Sequence, residues 1–392
     1  MPGGILNILA TGNQNVFLTG NPKKTFFKAV YAKYTNFGLQ KFRIDFNGAR
    51  SLRMSEDSLF SFKIPRYGDL LMDTYLVVTI PHIWSPIYPP NIDTDNPNNS
   101  SENWIPYEFR WIKDLGATMI KEITVTCGGT ILQKYSGDYI TAMVKRDYND
   151  SQKNLFNEMS GNTKYFNDPA NSMDRNNAYP NSFYSSTTGG SEPSIRGKQL
   201  FIPLNLWFGN TSKQAFPLVA LQYNELYINI TLRPVNELFK IRDVKDRLNN
   251  YPLIQPNFNV DYQQMHNFIQ TPPNVELNYT DKRTNWNSDI HLISTYGFLT
   301  QDENKVFASK EQKYLIKDVF ETIHNNVTGS RKIKTDSLGM VSSWMFFFRR
   351  SDANLRNEWS NYTNWPYDFL PVPISYSTDT TSIVNPFYNI ET

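Results

Sequence analysis

Residues 12–47 read GNQNVFLTGNPKKTFFKAVYAKYTNFGLQKFRIDFN. The stretch opens on a polar turn, Gly12-Asn13-Gln14-Asn15, ahead of a short apolar run, Val16-Phe17-Leu18. A second cluster, Thr19-Gly20-Asn21-Pro22, interrupts the chain, because Gly, Asn and Pro together favour turns over regular elements. The segment closes with Phe42-Arg43-Ile44-Asp45-Phe46, where every second residue is apolar. Side chains alternate across a strand, so this spacing predicts a strand with one buried face. No catalytic spacing occurs in the stretch. It reads as an arm that packs, followed by the first strand of a β-domain.

The same period recurs downstream. Phe60, Phe62 and Ile64 alternate with Ser61 and Lys63, and Ile123, Val125 and Cys127 alternate with threonines before a Gly128-Gly129 turn. Tyr75–Ile80 is denser in apolar residues, as a central strand buried on both faces would be. Leu200–Phe208 is apolar, and Phe216–Leu232 reads as the clearest strand pair, with Leu226, Ile228, Ile230 and Leu232 in phase. Ile290–Leu299 is a further strand. Helical spacing predicts a helix over Gly137–Arg146 with Ser136 as its cap, and a shorter one from Ser151 burying Leu155, Phe156 and Met159. After Thr300 the strand pattern restarts at Tyr314, Ile316 and Val319-Phe320, then Ile333 and Trp344–Phe348.

Three polar stretches interrupt this framework: Ser85–Asn103, Gly161–Lys198 and roughly Lys240–Asp289. Loops of such length are usually functional or disordered. Residues 183–194 alone read as a linker.

A chain of 392 residues suggests about two domains. Aromatics make up 15% and charged residues only 19%, the usage of a strand-rich, heavily packed protein rather than a disordered one. A net charge of +2 argues against a nucleic-acid coat, and Arg331-Lys332-Ile333-Lys334 is too short for a basic patch. The single cysteine, Cys127, excludes an internal disulfide and sits in core phase as a small buried side chain. The histidines at 82, 266, 291 and 324 are too scattered for a zinc site. Neither a signal peptide nor an apolar run of about 18 residues occurs, so the chain is expected to fold in a reducing compartment.

Chemistry is equally sparse. No Gly-x-Ser-x-Gly elbow and no phosphate-binding Gly-x-x-x-x-Gly-Lys loop is present. Asp93-x-Asp95 lacks the Gly and closing Glu of a calcium loop. Asn-x-Ser/Thr triplets at Asn98, Asn99, Asn149, Asn210, Asn229, Asn278, Asn326 and Asn361 are what an Asn-rich sequence yields by chance. No catalytic, cofactor-binding or metal residue is assigned, and the chain is expected not to be an enzyme.

Asn15-Val16-Phe17-Leu18-Thr19-Gly20-Asn21-Pro22, Thr25-Phe26-Phe27-Lys28 and Tyr34-Thr35-Asn36-Phe37 resemble the N-terminal signature of major capsid proteins of nucleocytoplasmic large DNA viruses, in their giant-virus, mimivirus-like branch. Ile202-Pro203-Leu204, Trp207-Phe208, Pro217-Leu218 and Ala220-Leu221-Gln222-Tyr223 continue the resemblance. So do Phe347–Asp352, Arg356-Asn357-Glu358-Trp359 and Asn361–Pro366.

The resemblance implies an all-β double jelly roll with a few short helices, its long loops forming the outward towers of a trimer. Residues 1–30 would be an N-terminal arm, 31–300 a first jelly roll with long insertions, and 301–392 the opening part of a second, with about three or four strand candidates against the eight of a jelly roll. That second jelly roll is therefore expected to be incomplete. The implied role is structural: pseudo-hexameric homotrimers tile an icosahedral virion shell assembled in the host cytoplasm. Neighbouring capsomers and minor capsid proteins under the shell would be the partners, with no cofactor, no direct nucleic acid and no transmembrane segment. The rival reading is a carbohydrate-binding or glycoside-hydrolase-like β-sandwich, which the eight Trp fit loosely.

Overall fold

In the computed structural model, eight principal strands form two antiparallel sheets: β1 (Gly38–Asp45), β2 (Ser58–Lys63), β3 (Leu70–Thr79), β4 (Ile120–Cys127), β5 (Thr130–Tyr135), β6 (Gln199–Pro203), β7 (Leu226–Leu232) and β8 (His291–Phe298). The structure describes residues 35–363 apart from 86, 89–104, 181, 186–189, 222, 247, 248, 250, 270–284, 328 and 335–339. The Gly12–Tyr34 part of the opening stretch lies outside these residues, as do Asp93 and Asp95.

One sheet runs β1-β8-β3-β6 and the other β2-β7-β4-β5. Consecutive strands thus mostly fall in opposite sheets, which is the Greek-key order of a jelly roll. The alternating residues face inward as their period requires. Phe60, Phe62, Ile123, Val125, Ile228 and Ile230 from one sheet share a single core with Ile44, Leu71, Val78, Leu200, Ile202 and Leu292 from the other. Central β3 buries Leu76, Val77 and Val78 in succession, having cover on both faces. Gly128 and Gly129 both take positive φ, 56° and 85°, which a tight hairpin between β4 and β5 requires.

The helices flank the sandwich: α1 (Leu115–Met119), α2 (Gly137–Asp147), α3 (Asp150–Ser160) and α4 (Gln301–Ser309). Ile140 and Val144 of α2 are buried, and Ser136 stands at its N-cap without a capping side-chain bond. A Cβ on Gly137 would stand 1.9 Å from the Ala117 carbonyl oxygen, so only glycine lets α2 start against α1. In α3, Phe156 is buried, Met159 is half-buried, and Leu155 is 61% exposed instead of packed. That helix is fixed by its ends. Asn149 and Gln152 form a reciprocal capping box, and Gly161 closes it with φ 78°.

Several sequence expectations need correction. Phe216–Leu232 is not a strand pair: Phe216–Pro217 pairs with β3, whereas β7 lies between β2 and β4 in the other sheet. Alternation identifies strands but not their partners. Cys127 is half-buried, being the last residue of β4 beside the glycine turn. Residues 183–194 contain a short hairpin, Phe183–Ser185 with Gly190–Glu192, not a bare linker. The chain past Thr300 opens with helix α4, and its described residues from 310 to 349 form no strand. Tyr314, Ile316 and Val319 are half-buried against the jelly roll, but Phe346, Phe348 and Trp344 (51% exposed) stand in solvent. An apolar alternation becomes a ladder only when a neighbouring strand supplies its hydrogen-bond partners.

Candidate assembly surface

Described parts of the three polar stretches meet at one end of the sandwich. Ile83 bridges Ile195, Ser182 N–H donates to Ser85 O at 3.0 Å, and Ser85 N–H donates to Ser194 Oγ at 3.0 Å. Tyr179 ties them further: Phe109 N–H donates to its hydroxyl oxygen at 3.0 Å, and the hydroxyl lies 2.9 Å from Phe109 O and from Ser85 Oγ. Burial, the largest influence, raises the Tyr179 pKa well above the ordinary phenol value, so the group stays neutral.

This end has a β-layer of its own. Phe109–Trp111 pairs with Phe239–Arg242, which pairs with Leu253–Ile254. Phe109 stacks on Phe239 at 4.5 Å between centroids, and Tyr107 lies 4.7 Å from Phe268. At the alternate positions of these strands, on the opposite face of the layer, sit charges. Glu108 is 2% exposed, with Arg242 Nη2 at 2.9 Å and Arg110 Nη2 at 3.2 Å. Arg110 Nη1 also reaches Asp168 at 3.2 Å, and Arg242 Nη1 donates to Tyr251 O at 2.8 Å. Burial pushes the Glu108 carboxyl up, but the Arg242 and Arg110 guanidiniums outweigh it and hold the pKa below the usual carboxylate value. The network draws the Gly161–Lys198 stretch onto this layer. A hairpin, Ile87–Tyr88 with Ile105–Pro106, extends from the same region.

The sides of the sandwich differ. β1 pairs only with β8, leaving its other edge without a strand partner among the described residues. Phe37, Leu39 and Tyr67 are exposed nearby. Open edges with apolar neighbours invite pairing with other chains.

Among the described residues, no group of three or more His, Cys, Asp or Glu is placed to hold a metal. His266 and His291 are buried, His82 accepts from Gly197 N–H at 3.1 Å, and His324 is exposed. Trp111, Trp207 and Trp286 are core residues, which removes the platform a sugar site would need from them. Asn149 is spent as a helix cap, Asn229 accepts from Ser61 at 2.6 Å, and Asn361 is buried. Sequence reasoning missed Glu108 and Arg110, although two charges alternating with Tyr107, Phe109 and Trp111 in an apolar run are a legible signal of a buried pair.

Residues 25–270 match the family model described as "Major capsid protein N-terminus". The chain belongs to this capsid protein family. Its relatives include the major capsid protein of Chrysochromulina ericina virus, 28% identical over 85% of this chain and 55% of that protein. The major capsid protein of Phaeocystis pouchetii virus is 30% identical over 91% of this chain and 60% of its own. Capsid protein 1 of Acanthamoeba polyphaga mimivirus is 26% identical over 85% and 46% respectively. The chain therefore spans about half the length of the curated relatives it matches. The solved Faustovirus major capsid protein aligns over 78% of this chain and 62% of its own, with a TM-score of 0.43 and 10% identity. So loose a similarity adds nothing to the fold, which stands on the strand ladders. The capsid-family match covers β1 to β7 and the loop-built end, stopping short of β8.

Proposed function

We propose that the protein is a structural shell protein whose copies close into pseudo-hexameric trimers that tile an icosahedral virion, assembled in the host cytoplasm. The observation that carries this is a family match over β1 to β7 of the jelly roll, whose long insertions are braced into one ordered end rather than left as separate loops. A closed trimer repeats one head-to-tail contact between two different patches, which must be rigid, and a buried ion network with an aromatic layer supplies rigidity there. The braced end would form the outer face. Residues 1–30 serve as an arm towards neighbours or minor proteins beneath the shell, 31–300 as the first jelly roll and 301–392 as the opening of the second. The protein works through interfaces and catalyses nothing. Among the described residues no helix is long and apolar enough to cross a membrane.

Electron microscopy and sedimentation of the purified protein test this. Trimers that pack into hexagonal arrays are expected. A protein that stays monomeric at every concentration and forms no array would sink the proposal.

A further inference from the structure

Between 310 and 349 the described chain forms no ladder, yet the residues that follow return to the jelly roll and bind it closely. Ala353–Arg356 makes one 3-10 turn, and Asn357 ends it with φ 53°. Asparagine tolerates that left-handed backbone better than most residues. Its side chain is 1% exposed, and Nδ2 donates to Asn236 O at 2.7 Å and to Phe239 O at 2.8 Å. The next residue, Glu358, pairs with Lys240. Trp359 follows: its Nε1–H donates to Glu237 O at 3.2 Å, and the Arg233 guanidinium lies 3.8 Å above its ring. Ser360 Oγ donates to Lys113 O at 3.3 Å.

Three consecutive side chains thus each engage a different group of one turn, Arg233–Lys240, that leaves β7. The chemistry is selective. The two carbonyls require a donor with two hydrogens, which Asn has and Asp lacks. Lys240 requires an anion. Glu237 O and Arg233 together favour an electron-rich aromatic face with an N–H in its plane, which Trp offers best.

We infer that the Arg233–Lys240 turn is a peptide-binding groove for an Asn-Glu-Trp segment, and that residues 357–359 are its built-in ligand, held by these contacts rather than by chain continuity. Nothing in this depends on the shell. Its consequence is that residues 357–359 are pinned to the turn that leaves β7, while the described residues between 310 and 349 make no ladder.

The test uses the full chain with a site-specific protease sequence inserted after Gly329, where the backbone is left-handed and an added Cβ meets nothing within 4 Å. After cleavage the C-terminal fragment is expected to stay with the jelly roll on size exclusion. A synthetic peptide of residues 349–363 should displace it. Asn357→Asp and Trp359→Ala should each weaken retention at least tenfold, while Leu355→Ala, an exposed side chain beside the groove, leaves it unchanged. Far-ultraviolet circular dichroism checks that each variant keeps its sheet. Loss of the unsubstituted fragment at once, or variants retained as tightly as the parent, would overturn the inference.

Discussion

The Glu108 carboxylate lies 2.9 Å from Arg242 Nη2 although almost none of Glu108 reaches solvent. A buried carboxylate survives only with its cations in place, so Glu108→Gln would leave Arg110 and Arg242 short of a counter-charge. Breaking one partner of a buried pair costs about 3–5 kcal/mol. Chemical denaturation of the variant should show that loss.

The same pair sets an acid limit. The folded pKa of Glu108 is depressed, so its contribution is full above the unfolded value of about 4.3 and fades as pH falls through the lower folded value. Protease cuts within 161–198 should therefore accelerate below roughly pH 4, and Glu108→Gln should flatten that acid response. Equal acid sensitivity of both proteins would assign it to other carboxylates.

Tyr179→Phe keeps the ring and removes the hydroxyl that Phe109 N–H and Ser85 share. Leaving buried backbone groups unpaired costs about 1–3 kcal/mol. Hydrogen exchange should rise at Phe109 and around Ser85 while the β2-β7-β4 ladder stays protected.

Gly137→Ala should destabilise the protein by about 1–3 kcal/mol or more through overpacking against Ala117 O. Gly129→Ala makes a useful contrast. It meets no neighbour, so its cost comes from positive φ alone. Thermal melts of both should rank Gly137→Ala as the more damaging.

Trp344 and Phe346 stack in solvent at 6.2 Å between centroids. Replacing Trp344, Phe346 and Phe348 with Ser should change unfolding stability by only about 0.5 kcal/mol each, as exposed positions do, while light scattering reports less self-association. A large loss of stability would mean these rings are covered.

Strands with a strict period of two were legible because the pattern needs only local residues: Phe60-x-Phe62 and Leu226-x-Ile228-x-Ile230 bury as their spacing dictates. Pairing was not, which is why Phe216–Leu232 reads as one strand pair and folds into two sheets. Trp344–Phe348 misled for a related reason: alternation states what a strand would bury, not whether a neighbour exists. Asn357 stood in a stretch resembling the family, but its contact gave no signal, because its partners are carbonyl oxygens at 236 and 239 that any sequence would carry. Glu108 did signal burial within Tyr107–Trp111, but its partner Arg242 lies far along the chain.

The β1–β8 ladder, in which Ile44 faces Leu292, also imposes an order on biosynthesis. At about 5–20 residues per second, a ribosome leaves β1 waiting on the order of tens of seconds before β8, its strand partner among the described residues, emerges. During that interval Phe42 and Ile44 have no sheet to join, and neighbouring nascent chains on one message offer the same unpaired strand. Contacts this distant in sequence form slowly. Translation speed through the insertions between β6 and β8 is thus a lever on yield: the longer that passage lasts, the more chances β1 has to pair with a strand from another chain.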